Sequence, residues 1–191
     1  MALLFIIQMS NIPLEIYNEI IFMINDFHLS INLNLQSICK RLYNPDKHNY
    51  NIACENGDLE IVKWLHENRK ESCTTGAMDS ASWNGHLTVV KWLHENCNEG
   101  CSTWAMDYAS KNGHLEIVKW LHENRNEGCT KWAMDLASKY GHLKIVKWLH
   151  ENRKEGCTPL AMKWAKYKGH LEVVKFLHEN RNEGCTTLAM D

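Results

Sequence analysis

Histidine and cysteine, the side chains with which proteins most often bind zinc, recur in this chain at fixed spacing. Five cysteines stand at intervals of 28 residues, and each lies seven residues after a histidine. The pairs are His66 and Cys73, His94 and Cys101, His122 and Cys129, His150 and Cys157, and His178 and Cys185. A structural zinc site needs four converging ligands, usually from closely spaced pairs. One histidine and one cysteine in each unit do not converge, so we expect no metal site.

The same spacing bears on disulfides. Stacked helices lie ~8–10 Å apart, whereas a disulfide usually joins residues whose Cα atoms lie within ~7 Å. We therefore expect that adjacent units are not cross-linked and that the recurring cysteines are small buried thiols. Cys97 and Cys101, four residues apart, could meet, but only in one unit.

No catalytic pattern emerges from the sequence. His66-Glu67 begins like the zinc-protease motif H-E-x-x-H, but the fifth position is Lys70, and no other unit completes the motif. The glycine-rich nucleotide loops and the G-x-S-x-G motif are not present. Titratable groups that recur at repeat spacing do not form one convergent site. We expect no catalytic residue, no enzyme activity and no cofactor.

Charge and hydropathy exclude two further classes of partner. The chain has 21 basic and 23 acidic residues, and its net charge of −2 is not split into a basic and an acidic part. A nucleic-acid interface needs a surplus of Lys and Arg on one face. The apolar run Ala2–Ile7 is far shorter than the ~20 residues of a membrane span. We expect a monomer that binds neither nucleic acid nor membrane.

The elements that must position these residues form a repeat. Gly-His-Leu begins at Gly85, Gly113, Gly141 and Gly169, and Gly57-Asp58-Leu59 extends the series backwards, which indicates stacked units. Within a unit, Thr or Ser caps a first helix rich in Ala, and the Gly ends it. The caps are predicted at Thr74, Ser102, Thr130, Thr158 and Thr186.

A second helix follows each Gly and spans about Leu115 to Asn124 in the third unit. It is apolar on both flanks, which predicts contacts with the units before and after it. We interpret the aromatic residue that recurs on it as inter-repeat packing. That column comprises Trp64, Trp92, Trp120, Trp148 and Phe176.

The run Ala-x-x-x-Ala-x-x-x-Gly-His-Leu-Glu-Ile-Val-Lys-Trp-Leu, at 105–121, closely resembles the ankyrin repeat. Its continuation Trp-Leu-His-Glu-Asn-Arg is similar to variants abundant in giant DNA viruses and amoebae. The resemblance covers 48–191 and implies an all-α, ankyrin-type helical solenoid. The repeat is 28 residues long, against ~33 in the family, and Trp104-Ala105-Met106-Asp107 replaces the family's Thr-Pro-Leu-His. We expect a nearly all-helical stack with a stunted row of fingers.

The resemblance also implies that the chain binds proteins along a concave surface lined by the first helices and the fingers. Equivalent positions of successive units form columns. Columns that face a partner are free to differ between units, and three such columns lie on the first helix. They comprise Ser80, Tyr108, Leu136 and Trp164; Trp83, Lys111, Lys139 and Tyr167; and Asn84, Asn112, Tyr140 and Lys168. Aromatic residues interleaved with Lys suit a binding face. The alternative is that these positions vary because nothing constrains them.

The segment 9–46 has a pattern of its own. It contains Ile12-Pro13-Leu14-Glu15-Ile16, then Ile20, and ends in Ile38-Cys39-Lys40-Arg41-Leu42-Tyr43. This resembles a two- to three-helix F-box, although the middle lacks the usual Leu-rich turn. The family implies docking onto the Skp-type adaptor of a cullin ubiquitin ligase. The docking residues would be Ile12, Pro13, Leu14, Ile16 and Ile20. The alternative is a segment that only caps the first repeat.

These observations predict three parts: a ragged start at 1–8, the F-box-like segment at 9–46, and ankyrin-type repeats at 47–191. Five repeats are expected, the first degenerate, followed by an incomplete sixth that frays after about Cys185. The predicted function is a substrate-recruiting adaptor for a ubiquitin ligase, and the alternative is a plain binding scaffold. No export signal is evident, so we expect the chain in the reducing cytoplasm, which would be the host cytoplasm for a viral protein.

Overall fold

The computed structural model describes residues 48–68 and 73–182, and within these ranges it is built of helices without a β-strand. The all-α prediction is confirmed for this part of the chain. The F-box-like segment, Cys185 and the incomplete sixth repeat lie outside the described residues. The helices are α1 (His48–Asn56), α2 (Leu59–Asn68), α3 (Thr75–Asn84), α4 (Leu87–Asn96), α5 (Thr103–Lys111), α6 (Leu115–Asn124), α7 (Lys131–Lys139), α8 (Leu143–Asn152), α9 (Pro159–Tyr167) and α10 (Leu171–Asn180).

In three repeats, the side chain of the predicted cap residue caps the first helix. The side-chain oxygens of Ser102, Thr130 and Thr158 accept hydrogen bonds from the backbone N–H two residues later, at 3.1, 3.1 and 3.2 Å. This satisfies one of the donors that a helix N-terminus leaves unpaired. Thr74 stands at the same position but donates its hydroxyl to Asn51, 3.1 Å away, and does not cap α3 with its side chain.

The helices stack in two layers. Each odd-numbered helix packs against the next odd-numbered helix and against its own even-numbered partner. Small side chains make the close approach of the first layer possible: Ala105 and Ala109 are fully buried with Met106 between them. The second layer contributes Val118 and Leu121. The core therefore runs along the whole stack, and each repeat buries its apolar surface against its neighbours.

Each Gly-His pair joins one repeat to the next. Gly113 ends the first helix with a φ of +85°, a conformation that favours glycine. The imidazole of His142, in the following repeat, lies where a Cβ on Gly113 would stand, and its Nε2 bonds to the carbonyl oxygen of Lys111 at 2.9 Å. The same arrangement links His114 to the carbonyl of Trp83, at 3.0 Å.

The connection to the next repeat is short, as predicted for a stunted finger. Residues 125–130 link α6 to α7 without a strand, and the side chains of Arg125 and Glu127 bond to each other there, with Nε to Oε2 at 3.2 Å. No helix among residues 48–68 and 73–182 combines the length and the apolar character that crossing a bilayer requires.

Candidate protein-binding surface

The twelve residues predicted to face a partner form one surface along α3, α5, α7 and α9, which we call the first-helix strip. All twelve are exposed or half-buried, because the opposite side of each helix carries the buried Ala and Met residues. The exposed members are Trp83, Asn84, Asn112, Tyr140, Tyr167 and Lys168, and the half-buried ones are Ser80, Tyr108, Lys111, Leu136, Lys139 and Trp164.

Two lysines of the strip lie over aromatic rings of their own and neighbouring repeats. The Nζ of Lys111 is 4.7 Å from the centre of the Trp83 ring and 5.8 Å from that of Tyr140. The Nζ of Lys139 is 4.8 Å from the centre of the Trp164 ring and 5.5 Å from that of Tyr140. Such cation–π contacts hold the ammonium groups in place while leaving part of each in solvent.

Two exposed tryptophans belong to the same surface, although the comparison of variable columns did not select them. Trp104 is 61% exposed and Trp132 is 51% exposed. Trp104 lies four residues before Tyr108, on the same side of α5, and their rings meet edge to face. Trp132 stacks on Trp164 of the next repeat, with ring centres 6.0 Å apart. The four-residue spacing to a strip member was the signal that could have identified them.

The tryptophans divide the surface into grooves. One groove, of about 350 Å³, lies between α5 and α7, and Leu136 forms part of its wall. Its other walls are Trp104, Asp107, Tyr108, Lys111, Trp132, Lys139 and Tyr140. A second groove, of about 570 Å³, lies between α3 and α5 and shares Trp104 and Tyr108 with the first. Apolar walls with a few charged groups are typical of recognition sites.

The two asparagines of the strip have bonds within the stack. The Nδ2 of Asn112 donates to the carbonyl oxygen of Trp83 in the preceding repeat, at 2.8 Å. The Nδ2 of Asn84 donates to the carbonyl oxygen of Ser80, at 3.0 Å. These side chains hold the ends of the first helices in place.

A column of aspartates lies beneath the strip, and its role was not predicted from the sequence. Asp79, Asp107 and Asp135 each accept bonds from the backbone N–H and the hydroxyl of the cap residue in the following repeat, at 2.6–2.9 Å. Burial raises the pKa of all three carboxyl groups, and these hydrogen bonds act in the opposite direction. The aspartates therefore join repeats, and their charge is already bound within the stack.

The structure corrects the disulfide prediction. Cys73 and Cys97 form a disulfide with Cα atoms 5.9 Å apart, so two adjacent units are cross-linked, and Cys97 does not pair with Cys101. The prediction considered only cysteines at equivalent positions of stacked repeats. Cys97 stands at a different position, just after α4, from which it reaches Cys73 in the preceding connection. Cys101 and Cys129 are buried thiols as expected, and burial raises the pKa of each to about 12.

The expectation that histidine and cysteine do not converge is also wrong at one place. The Nδ1 of His66 lies 3.7 Å from the Sγ of Cys73, and ligand atoms of His66, Cys73 and Cys97 all lie within 4.8 Å of one another. These residues come from the end of α2, the residue before the cap of α3, and the residue after α4. The stack brings Cys97 to the other two although it lies 24 residues after Cys73 in sequence.

Comparison with known proteins agrees with the repeat architecture. A family model described as "Ankyrin repeats (3 copies)" matches three overlapping segments, residues 50–135, 77–158 and 106–187. No curated protein matches the chain. The matches together span well over half of the chain, and the stacked helix pairs described above fit them. The chain belongs to the ankyrin-repeat family, whose members are scaffolds for protein–protein interaction.

Proposed function

We propose that the first-helix strip binds a segment of another protein that carries acidic and large apolar side chains, and that the chain acts as an adaptor rather than an enzyme. One observation carries the proposal: Lys111 and Lys139, each over aromatic rings, line the same groove as the exposed tryptophans Trp104 and Trp132. Tryptophan and tyrosine are the residues most often found at the centre of binding energy in interfaces.

The charge of these lysines is available to a partner. Among the residues that line the groove the carboxylate belongs to Asp107, and it is bound to Thr130. In the described chain, by contrast, Lys63 and Lys119 on the second helices form salt bridges with glutamates of their own helices. An acidic partner would pair with Lys111 and Lys139 without breaking an existing ion pair.

The charge of the first helices becomes more positive toward the C-terminal end of the stack. Lys163 occupies in α9 the position that Asp79, Asp107 and Asp135 occupy in the earlier repeats, and Lys168 of the strip is also exposed. A bound segment should therefore place its most acidic part over α9, because opposite charges steer and orient association.

The experiment is a selection of random linear peptides on the full chain. We expect enrichment of sequences that combine Asp or Glu with aromatic or aliphatic residues. The double variant Lys111→Glu, Lys139→Glu should lose these peptides, and Lys119→Glu on the second helix should keep them. Selection without acidic enrichment, or equal loss in both variants, would contradict the proposal.

We also propose that the F-box-like segment docks on the Skp-type adaptor of a cullin ubiquitin ligase in the cytoplasm, as giant-virus and amoebal proteins of this type would. The support is the sequence pattern from Ile12 to Tyr43. Co-purification with the adaptor should succeed with the full chain and fail with the double variant Leu14→Asp, Ile16→Asp. Equal recovery, or no recovery of either, would leave the plain scaffold as the function.

A further inference from the structure

The His66–Cys73 pair of the first connection differs from the later histidine–cysteine pairs in the residue that reaches it from the following connection. In three later connections an arginine donates to the Nδ1 of a histidine in the preceding repeat: Arg125 to His94, Arg153 to His122 and Arg181 to His150, each at 3.3 Å. Arg125 also lies against the thiol of Cys101. The guanidinium therefore places a cation between a histidine nitrogen and a cysteine sulfur.

At the first connection this cation is replaced by a second sulfur. The 28-residue repeat puts Cys97 at the position of Arg125, while His66 and Cys73 occupy the positions of His94 and Cys101. Glu99 keeps the position of Glu127, the partner of Arg125. The site retains its acceptor nitrogen, its sulfur and its acid but has lost the positive charge, and it has gained a ligand for a soft metal ion.

The geometry matches the demands of zinc. Zinc binds thiolate sulfur at about 2.3 Å and imidazole nitrogen at about 2.0–2.1 Å in a tetrahedron, which places a bound sulfur and nitrogen about 3.5 Å apart. The Nδ1 of His66 and the Sγ of Cys73 are 3.7 Å apart. In the later connections the equivalent Nδ1 accepts a hydrogen bond, so the nitrogen that faces the site carries the lone pair a metal needs.

We propose that the reduced chain binds one Zn²⁺ ion through His66, Cys73 and Cys97, with water as the fourth ligand. Binding displaces one proton from each thiol and gives a neutral zinc–dithiolate unit. The hydroxyl of Tyr50, 3.2 Å from Cys73 Sγ and 3.7 Å from Cys97 Sγ, donates its one hydrogen to the nearer thiolate, that of Cys73, from outside the metal shell. The ion joins the ends of α2 and α4 to α1 and so fixes the degenerate first repeat.

The disulfide and the zinc ion exclude each other, because the metal needs both sulfurs as thiolates. A phosphine reductant opens the disulfide by taking up one oxygen atom from water, and the two hydrogen atoms of that water complete the two thiols. The full chain in this reduced state is the form to test.

The test is titration of the reduced full chain with Co²⁺, which takes the place of Zn²⁺ and reports thiolate ligands in its absorption spectrum. We expect a thiolate-to-cobalt charge-transfer band and the visible bands of tetrahedral cobalt, saturating at one equivalent and lost when Zn²⁺ is added. Cys97→Arg, which restores the residue of the later connections, should lose all bands. Cys101→Ser, at the equivalent position one repeat later, should keep them.

Two further measurements separate binding from folding. Zn²⁺ should raise the melting temperature of the reduced wild-type chain and not that of Cys97→Arg, whose helix content should remain unchanged. Tyr50→Phe should weaken Zn²⁺ binding by about ten- to hundredfold, the usual effect of losing an outer-shell partner. Octahedral cobalt in the reduced wild-type chain, or bands that persist in Cys97→Arg, would overturn the proposal.

Discussion

The carboxylate of Asp107 accepts hydrogen bonds from both the backbone N–H and the hydroxyl of Thr130, at 2.8 and 2.7 Å. Thr130 is the cap residue of α7, so a side chain of one repeat holds the start of the first helix in the next. The stability of one repeat therefore depends directly on its neighbour, which is the property expected of a solenoid.

We expect Asp107→Ala to lower the free energy of unfolding by about 1–3 kcal/mol, because it removes two hydrogen bonds to a charged group and leaves their donors unpaired. Urea denaturation followed by circular dichroism measures this. Glu123→Ala on the exposed side of α6 is the control and should change stability by less than about 0.5 kcal/mol. Equal effects of the two substitutions would show that the aspartate column does not join the repeats.

Substitution of equivalent glycines should reduce stability by different amounts, because a histidine of the following repeat packs against some of them and not against others. Gly113→Ala forces a Cβ to 2.8 Å from His142 Cε1 and imposes strain at a φ of +85°. Gly169 has a φ of +75° but open space around the added Cβ, so Gly169→Ala imposes only the backbone strain, roughly 1–2 kcal/mol. Thermal unfolding should show a larger loss for Gly113→Ala. The reverse order would contradict the packing of His142 against Gly113.

Tryptophan substitutions on the two helix layers should have different effects, one on peptide binding and the other on stability. Trp132→Ala removes a half-exposed ring of the first-helix strip and should weaken a peptide selected on this surface by about 2 kcal/mol or more with little loss of stability. Trp148→Ala removes a ring that meets His122 edge to face and should cost about 3 kcal/mol of stability. Isothermal titration and denaturation of both variants test this. If Trp148→Ala lost binding without losing stability, the interface would lie on the second helices and not on the first-helix strip.

Repetition made much of this fold predictable. The 28-residue period and the apolar pattern identified the helix from Leu115 to Asn124, and the structure has the same bounds. The caps at Ser102 and Thr130 follow from residue type, because these side chains compete for free backbone donors. Such features are local, and the sequence of one repeat contains all the groups that take part.

Contacts between different columns were not predictable in this way. Cys73 and Cys97 meet because residues 24 apart face each other across a connection, and comparison of equivalent positions cannot detect such a pair. No partner of Asp107 was predicted, since Thr130 lies 23 residues later in the next repeat. Trp104 was not selected, although its column also varies between repeats and it lies four residues before Tyr108.

The pair of Arg125 and Glu127 predicts how stability depends on pH. Hydrogen bonds from the Arg125 side chain lower the pKa of Glu127 from 4.5 to about 2. Because the pKa in the folded state lies below that of the unfolded chain, the pair stabilises the fold above pH 4.5 and the stabilisation is lost as the pH falls toward about 2. Glu127→Gln should therefore be less stable at neutral pH and lose less stability in acid.

The buried aspartates change the stability with pH in the opposite direction from Glu127. Measuring the difference in stability between the wild-type chain and one variant separates the two contributions. Burial raises the pKa of Asp107, so its contribution favours the fold at low pH and declines as the pH rises through the folded-state pKa. Subtracting the stability of Glu127→Gln from that of the wild-type chain at each pH removes this part. A difference that does not shrink between neutral pH and acid would contradict the role of the Arg125–Glu127 pair.

Hydrogen–deuterium exchange of the full chain with and without a selected acidic peptide tests the central claim most directly, namely that the second helices serve the stack and the first-helix strip binds the partner. We expect the peptide to slow exchange in α5 and α7 and to leave α6 and α8 unchanged. Slower exchange confined to α6 and α8, with α5 and α7 unaffected, would contradict this claim.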